Sequence, residues 1–158
     1  MTAQQLWAAY LSTQEADEQK ALQQITYEAW AFGDDPDTLA ALVCRGVKTA
    51  TASAYALYEI DGENLPQPNE YSVILDSREH AVCIIRTTRV FVIPFDRVDE
   101  CQAWREGEGD RSLAYWRKVH RDFFTQELAE AGLAFAEDMP VVCEEFTCVF
   151  PAPLTEGT

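Results

Sequence analysis

Basic side chains are scarce in this chain. Twelve lysines and arginines stand against 27 aspartates and glutamates, leaving a net charge of −15. Affinity for a phosphate backbone comes from cations that release counterions, so a protein that coats double-stranded DNA or bulk nucleic acid non-specifically is excluded. Histidine is scarcer still, represented only by His80 and His120. Spacing alone assembles no metal cluster from them, and each reads first as a half-exposed surface residue, with a catalytic role left open to either. The five cysteines, Cys44, Cys83, Cys101, Cys143 and Cys148, are odd in number and contain no Cys-x-x-Cys pair. Reduced thiols fit that pattern better than a disulfide framework or a zinc site. No apolar run is long enough to cross a bilayer, and no basic-then-apolar leader opens the sequence, so the expectation is a soluble, cytoplasmic protein with no membrane partner.

What is present amounts to one ordinary domain. A chain of 158 residues buries roughly two thirds of its unfolded surface without needing a disulfide or metal staple. Its acidity is uneven. Residues 1–40 hold one basic and seven acidic side chains, residues 127–158 hold none and seven, and the stretch between holds eleven and thirteen. A locally basic pocket in the centre is compatible with that distribution, and it favours a small or specifically presented ligand over a long polyanion.

The patterning alternates between helix and strand. Thr2 to Leu11 reads as a helix capped by Thr2, followed by a polar piece to Gln24 that either continues it or connects onward. Ile25 to Phe32 alternates like a strand and stops at Gly33-Asp34-Asp35-Pro36. A helix over Asp37 to Arg45 then ends on Gly46 as a C-terminal cap. Strand candidates follow at Tyr71 to Asp76, Ala81 to Thr87 and Arg89 to Ile93, the last two as one long bent strand or as two, with Ser77 to His80 turning the hairpin. Arg97 to Trp104 reads as helical, Leu113 to Leu128 carries an apolar stripe that ends at Gly132, and Pro140 to Phe150 is a last strand. These elements predict a single α+β domain with five or six short strands and a tail after Pro151.

Gly46-Val47-Lys48-Thr49-Ala50-Thr51-Ala52-Ser53 stands out, because a lysine and several hydroxyls follow directly on a helix-ending glycine. It reads as a binding or reactive corner, or as a surface lysine leading into a β-forming run. A nucleotide-hydrolase phosphate loop is excluded, since the first glycine is missing and the helix precedes the loop. The second stretch of interest is Glu106-Gly107-Glu108-Gly109-Asp110-Arg111-Ser112. Its acids read as helix-start chemistry, as magnesium or manganese ligands, or as site residues.

Trp30 to Asp34, Gly46 to Thr51, Glu106 to Leu113 with Trp116-Arg117, and Asp138 to Glu144 together resemble the longer bacterial members of the ASCH domain family. The resemblance runs from about Tyr27 to Pro151 and implies a domain at 25–151, with residues 1–24 as an N-terminal helical extension and 152–158 as a tail. It implies a PUA-like β-barrel flanked by helices, with a cleft suited to RNA or a nucleoside-type fragment. It also implies a hydrolase, either an amidohydrolase acting on N-acetylated cytidine or a ribonuclease, with a non-catalytic RNA-binding module as the competing class. Carried over by residue, Lys48 and Thr51 match the family's lysine and threonine, and Glu108 matches its glutamate, with Glu106 as the alternative. Arg111, Ser112, Trp30 and Tyr55 are the expected substrate-binding residues, with Trp116 a weaker stacking candidate. No cofactor is implied, and a divalent metal stays open.

Overall fold

The computed structural model describes residues 1–151; the predicted tail at 152–158 lies outside them. Chain order runs through α1 (Ala3–Ser12), α2 (Ala16–Gln23), β1 (Tyr27–Ala31), α3 (Pro36–Cys44), β2 (Ala50–Ala54), α4 (Tyr55–Asp61), β3 (Tyr71–Leu75), β4 (Ala81–Pro94), α5 (Glu100–Glu106), α6 (Leu113–Glu130) and β5 (Pro140–Phe150). One five-stranded sheet holds them together in the order β1-β3-β4-β5-β2. It curls into a half-barrel whose edges, β1 and β2, do not pair with each other. The fold is therefore α+β, with an open side where a closed barrel would have a wall.

Several local expectations are refined. The polar stretch after Thr13 is a separate short helix, α2, which buries Leu22 against the sheet. The helical segment expected from Arg97 splits into a 3-10 turn at Phe95–Arg97 and α5, because Asp99 caps α5 by accepting from the Gln102 amide. Ala81 to Ile93 is one strand, and it changes register against β5 between Thr87 and Arg89. That irregularity bends the strand without breaking it.

Strand alternation divides the sheet into two faces. The outer face carries Tyr71, Val73 and Ile84 and is covered by Leu6, Trp7, Tyr10 and Leu22 of the two N-terminal helices. The inner face carries Ile74, Cys83, Ile85, Phe146 and Cys148, and Leu39, Ala40 and Val43 of α3 fill one half of it. On the far end of β5, Val141 and Cys143 pack with Phe95, Trp116, Phe124 and Leu128, so α5 and α6 close that side. Beyond α3, the inner face next to β2 is polar and carries the hydrogen-bonded pair Thr87 and Glu144.

All five cysteines are free, with Cys83, Cys143 and Cys148 buried. Among the described residues, no helix is long and apolar enough to cross a membrane.

Candidate functional site

The corner after α3 turns inward. Arg45 caps the helix, and Gly46 adopts φ 75°, a conformation that costs a glycine little. The amides of Val47 and Lys48 both donate to the Leu42 carbonyl, at 3.0 and 3.1 Å. Thr49 then donates to the Arg105 carbonyl at 2.7 Å, which ties the corner to the end of α5. These bonds fix the backbone so that the Lys48 side chain enters the protein, where only 1% of the residue is exposed. The surface-lysine reading of this stretch is thereby corrected. A buried ammonium requires partners, because desolvation of an unpaired charge costs several kcal/mol or more.

Its partners come from the end of α5. Lys48 Nζ lies 3.0 Å from Glu108 Oε2 and 3.6 Å from Glu106 Oε1, and it also donates to the Glu106 carbonyl at 3.4 Å. The Phe32 ring stands 5.2 Å away. Gly107 makes this approach possible. It ends α5 at φ 73°, and a Cβ there would stand 2.7 Å from the Val47 carbonyl oxygen. Any side chain at this position would push α5 off the Lys48 corner.

Glu106 is the centre of the network. Its carboxylate receives His120 Nε2 at 3.2 Å, Gln102 Nε2 at 3.1 Å and the Trp116 indole N–H. Burial alone would push its acid up, but the charges of His120 and Lys48, with hydrogen bonds from His120 and Trp116, bring it down to about 2. His120 is held by the same pair. Burial acts to lower its imidazole, and the carboxylate of Glu106 more than offsets this and raises it. Nδ1 faces the Trp116 carbonyl at 2.9 Å and Nε2 faces a carboxylate. Both ring nitrogens thus meet acceptors, the arrangement an imidazolium satisfies. Gln102 also donates to the Thr51 carbonyl at 3.3 Å, linking the network to β2.

A narrow cleft of about 60 Å³ opens over these groups. Lys48, Thr51, Glu106, Glu108 and His120 line its polar side, and Phe32, Leu39, Val119 and Phe123 line its apolar side. Lys48, Thr51 and Glu108 are therefore brought to one place. Arg111 and Ser112 are not. Arg111 stacks on Trp104 with its guanidinium carbon 3.7 Å from the ring centre, and donates to the carbonyls of Trp104 and Val47 at 2.9 and 3.4 Å. Ser112 caps α6 by accepting from the Tyr115 amide. Both line a separate, wider groove with Glu100, Cys101 and Arg105. Trp30 lies half-buried on β1 against Phe32, and Tyr55 opens α4; neither lines the narrow cleft. Trp116 is core, only 3% exposed, and its polar edge serves Glu106.

Sequence reasoning missed His120, which it took for a surface residue. The helical spacing Trp116, His120, Phe124 was the available signal, since it sets the imidazole on the buried stripe of α6. Glu106, Glu108 and His120 each offer one atom within 4.8 Å of the others, so this trio, with His120 in the place given to Asp110, is where a divalent cation would sit. Lys48 Nζ already holds the position between the two carboxylates, and Asp110 instead accepts from the Ser112 amide at 2.9 Å.

Comparisons with known proteins agree with this architecture. The model of the ASCH domain matches residues 28–150. The crystal structure of an ASCH domain from Lactobacillus crispatus JV V101 superposes with a TM-score of 0.84 at 34% identity, covering 92% of each chain. The crystal structure of a protein from Enterococcus faecalis V583 superposes with a TM-score of 0.81 at 35% identity, covering 92% of this chain and 86% of the other. No curated protein matches the sequence.

Proposed function

Because the chain belongs to the ASCH domain family, an RNA-associated family with the PUA-like fold, we propose that it is a hydrolase acting on an RNA-derived nucleoside, removing the acyl group of N-acetylated cytidine. The observation that carries this reading is the ion pair of the buried Lys48 with the partly exposed Glu108 at 3.0 Å in the cleft that Thr51 lines. A threonine hydroxyl is a weak nucleophile and needs a base beside it. Lys48 takes the Thr51 proton as it passes one of its own to Glu108. The Thr51 oxygen attacks the amide carbonyl, and the carbon–nitrogen bond breaks. Glu108 returns its proton to the departing cytosine amine, and water then hydrolyses the ester on Thr51. Glu106, His120 and Gln102 act on Lys48 and β2 and are positioning residues.

The carboxylates that line the cleft favour a neutral substrate over a polyanionic strand. The test is product analysis by liquid chromatography and mass spectrometry after incubation with N-acetylated cytidine and, separately, with mixed-sequence RNA. Cytidine and acetate are expected from the wild type, with the rate reduced at least about 100-fold in Lys48→Ala, the scale of a lost acid–base group. Lys48-dependent shortening of RNA would replace this reading with a ribonuclease. RNA bound without any product would replace it with a non-catalytic binding module.

A further inference from the structure

The hydrolysis above leaves the polar half of the inner face unused. Its central residue is Glu144, which closes the last of the four motifs in the sequence. Glu144 lies directly across from Thr51 in the pairing of β5 with β2. Opposed residues in an antiparallel pair share a face, with Cβ atoms about 4.5–5.5 Å apart. The nucleophile's nearest cross-strand neighbour is therefore a carboxyl group.

Glu144 is 8% exposed, and one of its carboxyl oxygens accepts from Thr87 Oγ1 at 2.6 Å. The other oxygen accepts from none of the described residues. Among the described residues, the buried side-chain polar atoms that lack a partner are Arg86 Nε and Gln102 Oε1, so the free oxygen of Glu144 is one that solvent reaches. Two residues along β2, Ser53 Oγ and Tyr58 Oη lie 2.9 Å apart, and Tyr58 stands within the electrostatic reach of Glu144, Glu63 and Glu28. Burial pushes the Glu144 acid up, the Thr87 bond opposes this, and Glu70 and Glu28 add to the rise. A carboxyl oxygen that accepts from no protein group suits a ligand that brings a hydrogen-bond donor.

We propose that this polar half of the inner face is a ligand subsite adjoining Thr51, in which the free oxygen of Glu144 accepts a hydrogen bond from the amine-bearing edge of an uncharged pyrimidine. The inference rests on the nucleoside reading above and deepens it. Because Thr51 and Glu144 are neighbours, the group that Glu144 recognises is the nitrogen of the bond being cleaved. A pyrimidine carrying a carbonyl at that position would set two acceptors against each other. A buried site built for a donor rejects such an analogue strongly, because its own group is left unpaired.

Calorimetric titration of cytidine and of uridine, the amine-bearing and carbonyl-bearing pyrimidines, tests this on wild type, Glu144→Gln and Glu144→Asp, with thermal unfolding of each variant. Wild type is expected to bind cytidine at least about tenfold more tightly than uridine. In Glu144→Gln, whose amide both donates and accepts, the ratio is expected to fall to within about twofold; Glu144→Asp, which withdraws the carboxyl by one methylene, falls between the two and serves if the glutamine variant does not fold. A folded variant of either kind that keeps the wild-type ratio overturns the subsite. If Lys48-dependent deacetylation is found beside an unchanged ratio, the hydrolase stands without the subsite. If wild type binds neither nucleoside, the subsite is overturned, and the hydrolase is decided by the deacetylation assay alone.

Discussion

Glu106 and Glu144 are both buried carboxyl groups within the same half-barrel, yet their acidities move in opposite directions. Burial is the first influence on each, and it raises both. Glu106 meets His120, Lys48, Gln102 and Trp116, which together outweigh burial. Glu144 meets a hydroxyl and two further carboxylates, which do not. Partners rather than depth decide which carboxyl is a fixed anion and which holds its proton more readily. In functional terms, one is built to anchor a cation and the other is left available to a ligand.

Four measurements can break or sharpen this contrast. The largest effect is expected from Glu106→Gln, which leaves Lys48 and His120 without their shared counter-charge and should cost about 3–5 kcal/mol in urea unfolding. The corresponding pH dependence follows from the depressed acid. Glu106's contribution to wild-type stability is complete above the ordinary glutamate range near 4.5 and is withdrawn as pH falls towards about 2. A smaller loss, about 1.5–3 kcal/mol near pH 6, is expected for His120→Gln, on the scale of hydrogen bonds to charged groups. Since the folded imidazole is raised, that advantage of the wild type is full below about 6.5 and fades as pH rises through the higher folded value. Thermal unfolding at a series of pH values would contradict the imidazolium assignment if the gap widened instead.

Glu144→Gln should act with the opposite sign. A raised acid means the native state resists ionisation of Glu144, so stability from this residue is present below about 4.5 and lost as pH rises through its folded value. The glutamine variant is therefore expected to melt above the wild type at pH 8 and to lose that advantage towards pH 4. Equal melting temperatures throughout would mean that Glu144 ionises as freely as an exposed acid. The smallest effect belongs to the outer groove. Arg111→Ala forfeits the stack on Trp104 together with two hydrogen bonds to backbone carbonyls and should cost about 1 kcal/mol, measurable in the same denaturant series.

The parts that were legible in the sequence are those governed by local pattern. The glycine that ends α3, the alternation of β3 and β4 and the apolar stripe of α6 could be read from neighbouring residues alone. Lys48, Thr51 and Glu108 were legible only as motif members. Their meeting depends on Thr49 bonding to Arg105 across 56 residues of chain, which no local pattern encodes. The same limit explains His120, whose identity as Glu106's partner depends on how α5 and α6 pack. Arg111 illustrates the reverse. Its position beside the motif suggested a ligand, whereas its guanidinium is taken up by two carbonyls and an indole.

β4 runs through all three hydrophobic cores. Ala81 and Ile84 join the core under the N-terminal helices, Cys83 and Ile85 join the core under α3, and Phe91 and Ile93 join the core under α5 and α6. A strand shared in this way leaves no seam along which the molecule can come apart in stages. The helices of residues 1–24 and the half-barrel should melt as one cooperative unit, and hydrogen exchange at the amides of β4 should report the opening of the whole protein rather than of any part.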